Sequence, residues 1–322
     1  MNIDSIDSTR VYEIPLRTRF RGITVREGLL LRGPAGWGEF GPFLDYDDAE
    51  SAPWLAAAVE SARDGWPAPV RDRVPINATV PVVDPARAAA IVAASGCRTA
   101  KIKVADPAVT LAADCERVAA VRDALGPDGQ IRVDANGAWD VDAALTAIRE
   151  LDRAAGGLEY VEQPCGTLVE LAAVRRKVDV RIAADESIRR AEDPMRVAVA
   201  GAADIAVLKV APLGGVRRAL AVAQACGLPC VVSSAVETSV GLAAGLALAG
   251  ALPELDFACG LGTLSLLTGD VTARPLRPVD GWLPVPHSAP APDSELLAAF
   301  AASPDTEARW RDRLTGVAKI AG

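Results

Sequence analysis

Histidine is almost missing from this chain: His287 is the only one in 322 residues. A Ser-His-Asp triad or a multi-histidine zinc centre would have to run through that single side chain. It stands in Pro284-Val285-Pro286-His287, a sequence that reads as surface loop. Acid–base chemistry therefore falls to Lys, Asp, Glu, Tyr or Cys. Paired cysteine spacing is missing too. The six cysteines (Cys97, Cys115, Cys165, Cys226, Cys230, Cys259) are scattered, which fits reduced, mostly buried thiols in a cytoplasmic protein. Positive charge is in deficit, with 34 Lys and Arg against 42 Asp and Glu and a net charge of -8. That balance argues against a general nucleic-acid binder, and any anionic substrate needs local positive groups to hold it. Long apolar runs are lacking. Val240 to Leu252 is too short to span a bilayer and reads as a buried helix, so no membrane partner is expected. Met1-Asn2-Ile3-Asp4 carries acid where a signal peptide would carry basic residues.

Half of the residues are hydrophobic, ample for a large core. Residues 1–75 read as a small α+β unit. Ser5 to Arg17, Gly28 to Arg32 and Trp37-Gly38-Glu39 are expected as antiparallel strands, and Asp45 to Ala62 as a helix. Between the first two strands, Thr18 to Gly28 reads as a lid loop dense in arginine; Arg19, Arg21 and Arg26 there can close over an anion. From about residue 76 the pattern becomes strand, loop, helix, repeated. Strand ends are expected at Ile76–Val80, Thr99–Val104, Ile131–Asp134, Leu158–Glu162, Arg181–Asp185, Asp204–Lys209, Cys230–Ser233 and Asp256–Cys259. Helical patterns cover Pro107–Leu125, Val141–Ala155, Val216–Cys226 and Ser239–Ala251. This spacing predicts a (β/α)8-type barrel over 76–270. A proline-rich tail from 271, ending in a helix over Ser294 to Leu314, is expected to return to residues 1–75 and complete an α+β capping domain.

Chemistry gathers at the strand ends. Asp134, Glu162 and Asp185 close three successive strands. Neighbouring strands lie about 4.8 Å apart, so these carboxylates can meet at the barrel mouth. Converging anions repel unless a cation neutralises them, and an all-oxygen set favours a hard ion, Mg2+ ahead of Mn2+ or Ca2+. Taken singly, each acid is as readily a turn or helix cap. Lys101 and Lys103, two apart, share one face of the preceding strand, and Lys209 ends a later strand across the ring. Repulsion between the paired lysines and a nearby cation is expected to lower a lysine pKa toward a working base. Such a site can remove a proton α to a carboxylate and stabilise the enolate. Arg132 shares the face of Asp134, and Asn136 extends that row into a turn at Asn136-Gly137.

The motifs Lys101-Ile102-Lys103, Arg132-Val133-Asp134-Ala135-Asn136, Val161-Glu162-Gln163-Pro164, Ala184-Asp185-Glu186-Ser187 and Leu208-Lys209 resemble the enolase superfamily in its muconate-lactonising branch. Gly36-Trp37-Gly38-Glu39 and Ser233-Ser234-Ala235-Val236-Glu237-Thr238 extend the resemblance over nearly the whole chain. It implies Asp134, Glu162 and Asp185 as Mg2+ ligands and Lys103 and Lys209 as the acid–base pair. Asn136 and Glu186 become supporting groups and Ser233 and Ser234 substrate-pocket positions; the alternatives are that Glu186 is only a helix-start acid and Ser233 and Ser234 only a turn. Within the branch, Arg132, Cys165 and the compact lid are most similar to the dehydratases of menaquinone biosynthesis, which act on a succinylated hydroxycyclohexadiene carboxylate. Of the lid arginines, Arg19 is the one expected to face the succinyl carboxylate. Racemisation of N-succinyl amino acids, dipeptide epimerisation and muconate cycloisomerisation use the same parts, and a non-catalytic scaffold would have lost some of them. The sequence sets no oligomeric state.

Overall fold

A computed structural model describes residues 6–189 and 201–320; the acidic start 1–4 and Ser5 lie outside them. Strands β1 (Ser8–Phe20), β2 (Ile23–Gly33) and β3 (Gly36–Phe40) form an antiparallel sheet in that order. The arginine-dense stretch is not a loop. Only Arg21 and Gly22, at φ +49° and +81°, make the turn, and the rest belongs to a long hairpin. Two successive left-handed residues suit the twist of paired strands. The run Ile23-Thr24-Val25 is β-branched and favours extended backbone. Helix Asp48–Arg63 covers the sheet and starts where Asp47 accepts a hydrogen bond from the Glu50 amide at 2.8 Å.

The second layer is a curled parallel sheet of β5 (Ala78–Val80), β6 (Thr99–Lys103), β7 (Gln130–Asp134), β8 (Tyr160–Glu162), β9 (Ile182–Ala184), β10 (Ile205–Leu208) and β11 (Cys230–Val232), neighbours in chain order. The expected eighth strand at Asp256–Cys259 does not form. Its place is taken by two single parallel bridges, Cys259 to Ile76 and Gly260 to Ser233, which join the two edges of the sheet. Gly260 and Gly262 weaken strand formation there. A side chain does part of the ladder's work instead, as Arg132 Nη1 donates to the Ala258 carbonyl at 2.7 Å.

Helices cover the outside of this ring. In Val141–Ala155, the buried residues Ala144, Ala147, Ile148, Leu151 and Ala155 recur at helical spacing and put one apolar face on the strands. Asp140 caps its start and Gly156, at φ +62°, ends it. Helix Leu111–Leu125 begins four residues later than expected because Thr110 is its cap. Two apolar clusters separate the ring's inside from its outside. Tyr160, Ala183, Ile205, Val207, Val231 and Phe257 fill the interior, while Ile102, Val133, Val161, Ala206 and Leu208 pack outward in the main core. The alternation that buries the first set aims the next residues of the same face at the mouth.

The tail contacts residues 73–75 and, through its last helix, the first sheet. A short strand β12 (Trp282–Pro284) pairs antiparallel with β4 (Arg73–Pro75). The expected terminal helix is two, Ser294–Ala299 and Pro304–Ile320; a proline starts a helix well but cannot continue one. Trp310 on the second donates to Glu27 at 2.9 Å and meets Phe40 edge-on. Among the described residues no helix is long and apolar enough to cross a membrane. His287 is exposed.

Candidate active site

Strand register assembles the mouth of the ring. Lys103 pairs with Asp134 across β6 and β7, and Asp134 with Glu162 across β7 and β8. Asp185 and Lys209 each follow the last residue of their strands, β9 and β10. Five consecutive strands thus deliver Lys, Asp, Glu, Asp and Lys in order, with an amine on each flank of three acids. Asp134, Glu162 and Asp185 are all buried, as are Lys101 and Lys209.

The ammonium groups hold the acids. Lys103 Nζ donates to Asp134 Oδ2 at 2.5 Å and to Asn136 Oδ1 at 2.7 Å. Lys101 Nζ bridges Asp134 Oδ2 at 3.1 Å and Glu162 Oε1 at 2.8 Å. On the other flank Lys209 Nζ donates to Asp185 Oδ2 at 2.5 Å. Among the described residues no three acid, imidazole or thiol side chains stand close enough to enclose an ion as they are. The donor set nevertheless fits a hard cation. Among the described residues Glu162 Oε2 is buried with no hydrogen-bond partner, and its carboxyl is pushed up to about 7 by burial and by the charge of Asp134, in spite of Lys101. A divalent ion would relieve both.

The two neighbouring lysines are driven apart in basicity. Burial opposes the charge of Lys101, but Glu162 and Asp134 outweigh it and hold that pKa well above the ordinary value. Lys103 goes down: burial depresses it against the pull of Asp134, and the charge of Lys101 adds to the fall. Mutual repulsion, the expected cause, is secondary to burial. Asp134 is held well below the usual carboxylate range because Lys103 and Lys101 overcome its burial.

The remaining expected residues divide. Asn136, at φ +48°, links Lys103 to Glu186, whose Oε1 accepts from Asn136 Nδ2 at 3.3 Å. Arg132 points to the floor of the ring instead of the mouth. It pairs with Glu159, donates to Asn77 Oδ1 at 3.3 Å and stacks on Tyr160. Ser234 Oγ is bonded to the Gly260 carbonyl at 2.6 Å, so it braces the closing segment, with Ser233 beside it. Of the lid arginines, exposed Arg19 lines a cavity of about 520 Å3 together with Phe20, Lys103 and Asn136. Arg21 stacks on Phe43 and donates to the Tyr46 hydroxyl, and Arg26 is buried among carbonyls.

Gln163 had no expected role. Its Oε1 accepts from the amides of Asp185 at 3.0 Å and Ser187 at 3.2 Å, while Nε2 donates to the Cys165 carbonyl at 2.9 Å and to Ser187 Oγ at 2.8 Å. It thereby fixes the backbone that presents Asp185. Its place directly after Glu162 was the only sequence signal.

Residues 84–290 match the enolase C-terminal domain-like family and residues 11–62 the enolase N-terminal domain-like family. The chain is 68% identical over 276 residues to an o-succinylbenzoate synthase of Thermobifida fusca, covering 86% of each chain. It is 55% identical over 313 residues to an o-succinylbenzoate synthase of Mycobacterium ulcerans, covering 97% of this chain and 93% of that one. Among solved structures, the muconate lactonizing enzyme of Pseudomonas fluorescens superposes with a TM-score of 0.77 at 26% identity, covering 92% of this chain and 99% of that one. With both domains matched and these relatives alike over most of their length, the chain belongs to the enolase superfamily, in its o-succinylbenzoate synthase family.

Proposed function

We propose that the chain is an o-succinylbenzoate synthase that removes water from 2-succinyl-6-hydroxy-2,4-cyclohexadiene-1-carboxylate to give 2-succinylbenzoate, in menaquinone biosynthesis. The observation that carries this reading is the row of Lys103, Asp134, Glu162, Asp185 and Lys209 across five consecutive strands. Asp134, Glu162 and Asp185 are the residues that would hold a divalent cation, Mg2+ by preference for their all-oxygen set. When bound, it would supply positive charge against the enediolate that forms as the α-proton leaves.

Lys103 is the base. Its depressed pKa keeps more of the neutral amine available than an exposed lysine would have. It takes the proton α to the carboxylate, then returns a proton to the departing hydroxyl as the C–O bond breaks. Water leaves and the ring gains its third double bond. Lys101 stays protonated and steadies Asp134 and Glu162. Lys209, on the opposite flank, stabilises the developing negative charge and the ring by charge and cation–π attraction. Asn136 and Glu186 orient Lys103, and Arg19 meets the succinyl carboxylate at the cavity wall. On this reading 76–270 is the catalytic barrel and 1–75 with 271–322 the cap. The six free cysteines suit a cytoplasmic enzyme.

A second reading rests on Lys209. An amine facing Lys103 across the acids is also what racemisation of an N-succinyl amino acid needs. Purified protein assayed with the cyclohexadiene acid, with and without EDTA, tests the first reading; turnover that disappears with EDTA and returns with Mg2+ is expected. α-Carbon exchange from deuterated water into N-succinyl amino acids, without dehydration of the cyclohexadiene acid, would replace it by the second.

A further inference from the structure

Val236 stands with φ +65°, a left-handed backbone that β-branched residues rarely adopt and that persists only when its surroundings enforce it. The enforcing groups are visible. Arg26, buried in the capping sheet, donates from Nε to the Val236 carbonyl at 3.1 Å, from Nη1 to the Glu27 carbonyl at 3.1 Å, and from Nη2 to the Gly41 carbonyl. Its guanidinium lies over the Phe43 ring, 4.9 Å from the centroid. On either side of Val236 two carboxylates act on the same loop. Glu237 accepts from the Ala235 amide at 2.6 Å, and Glu39 of β3 accepts from the Thr238 amide and hydroxyl and from the Gly241 amide at 2.9 Å.

This loop borders the Lys209 flank of the site. Glu39, Ser233, Ser234, Glu237 and Val210, the residue after Lys209, line a cavity of about 20 Å3, room for one water. Burial pushes the Glu237 carboxyl up, against the charges of Arg26 and Lys209, so the loop stands within electrostatic reach of the amine.

We propose that Arg26 is a positioning residue: by holding Val236 in its left-handed backbone, it sets the Ser233–Thr238 loop against Lys209 from the capping sheet. The inference rests on the function assigned above to Lys209. Arg26 touches no reacting atom. It spans cap and barrel, so the capping sheet takes part in organising one flank of the barrel mouth. A methionine has no donors for the three carbonyls, and a lysine offers a point charge in place of the planar fork.

The test compares Arg26→Met, Arg26→Lys, Val236→Gly and the double variant Arg26→Met/Val236→Gly by dehydration kinetics with Mg2+, calorimetric Mg2+ titration and thermal melting. Misplacing the loop in Arg26→Met is expected to lower kcat about tenfold or more, with KM and Mg2+ affinity within about threefold of the unmodified protein. Glycine adopts the left-handed backbone without a clamp. The double variant is therefore expected to recover most of the lost kcat, even though loss of the buried valine side chain lowers its melting temperature. Arg26→Lys should behave like Arg26→Met, and it carries the comparison, paired with Val236→Gly, if the methionine variant does not fold. An unchanged kcat in Arg26→Met overturns the proposal, and so does a double variant no faster than the single one. An unmodified protein that fails to dehydrate the cyclohexadiene acid would remove the functional reading itself; dehydration by that protein without rescue removes only the role of Arg26.

Discussion

On the proposed function, Lys103 and Lys209 carry the same ammonium group into different tasks, and substitution separates them. If Lys103 is the proton acceptor proposed above, Lys103→Ala is expected to lower kcat by about 10³-fold or more. Mg2+ affinity should hold or tighten, because Asp134 loses a competing ammonium at 2.5 Å. In the same proposal Lys209→Ala removes charge stabilisation alone and is expected to lower kcat by about 10²- to 10³-fold. Steady-state kinetics with calorimetric titration of each variant measures both, and dehydration retained by Lys103→Ala would move the proton transfer to another group. The five principal positions were readable in the sequence because each ends a strand, and the parallel register then brings neighbouring ends together. Gln163, Arg26 and Glu39 were not readable as a group. A glutamine bonding backbone amides 22 and 24 positions away, or an arginine reaching a carbonyl 210 residues on, has no local signature. Arg132 misled for the opposite reason: period-two alternation gives the face of the ring, but not whether a side chain rises to the mouth or lies on the floor.

Among the elements, the capping hairpin differed most from expectation, and one of its contacts makes a sharp demand on sequence. Gly38 lets β3 lie directly against helix Asp48–Arg63: a Cβ there would stand 2.0 Å from the Ala58 carbonyl oxygen and 2.8 Å from its carbon. That oxygen belongs to helix backbone and cannot swing aside, so Gly38→Ala has to push the helix off the sheet. Overpacking of this kind costs about 1–3 kcal/mol, and a lowered melting temperature and denaturant midpoint are expected, with metal affinity less affected. Unchanged stability would mean that the helix can shift off the strand at no cost. The helices were legible because apolar spacing and caps such as Asp140 with Gly156 are local. The hairpin was misread because arginine-rich sequence reads as solvated loop, while its strand character depends on pairing between Pro15 and Val25 and on a two-residue turn.

Over the whole molecule, cap and barrel share buried charge, and this makes stability depend on pH in a definite direction. Glu39 belongs to the capping sheet, but its carboxylate sits at the start of the barrel helix Ser239–Ala251. Burial pushes its pKa up to about 7, although Arg26, Thr238 and Tyr12 all favour the ionised form. The folded carboxyl thus holds its proton more tightly than the unfolded one, whose ordinary value is 4.5. The stability tied to that difference is fully present below pH 4.5 and is lost as pH rises through about 7. Glu39→Gln keeps the shape and some of the hydrogen bonding without the titration. Melting temperatures of the two proteins, taken at intervals from about pH 5 to pH 8 in EDTA, should therefore differ most in favour of the unmodified protein at the acid end. The gap should narrow steadily toward the alkaline end. A gap that stays constant, or widens with pH, would mean that Glu39 remains ionised throughout, with the Thr238 and Gly241 amides and the Tyr12 hydroxyl outweighing its burial.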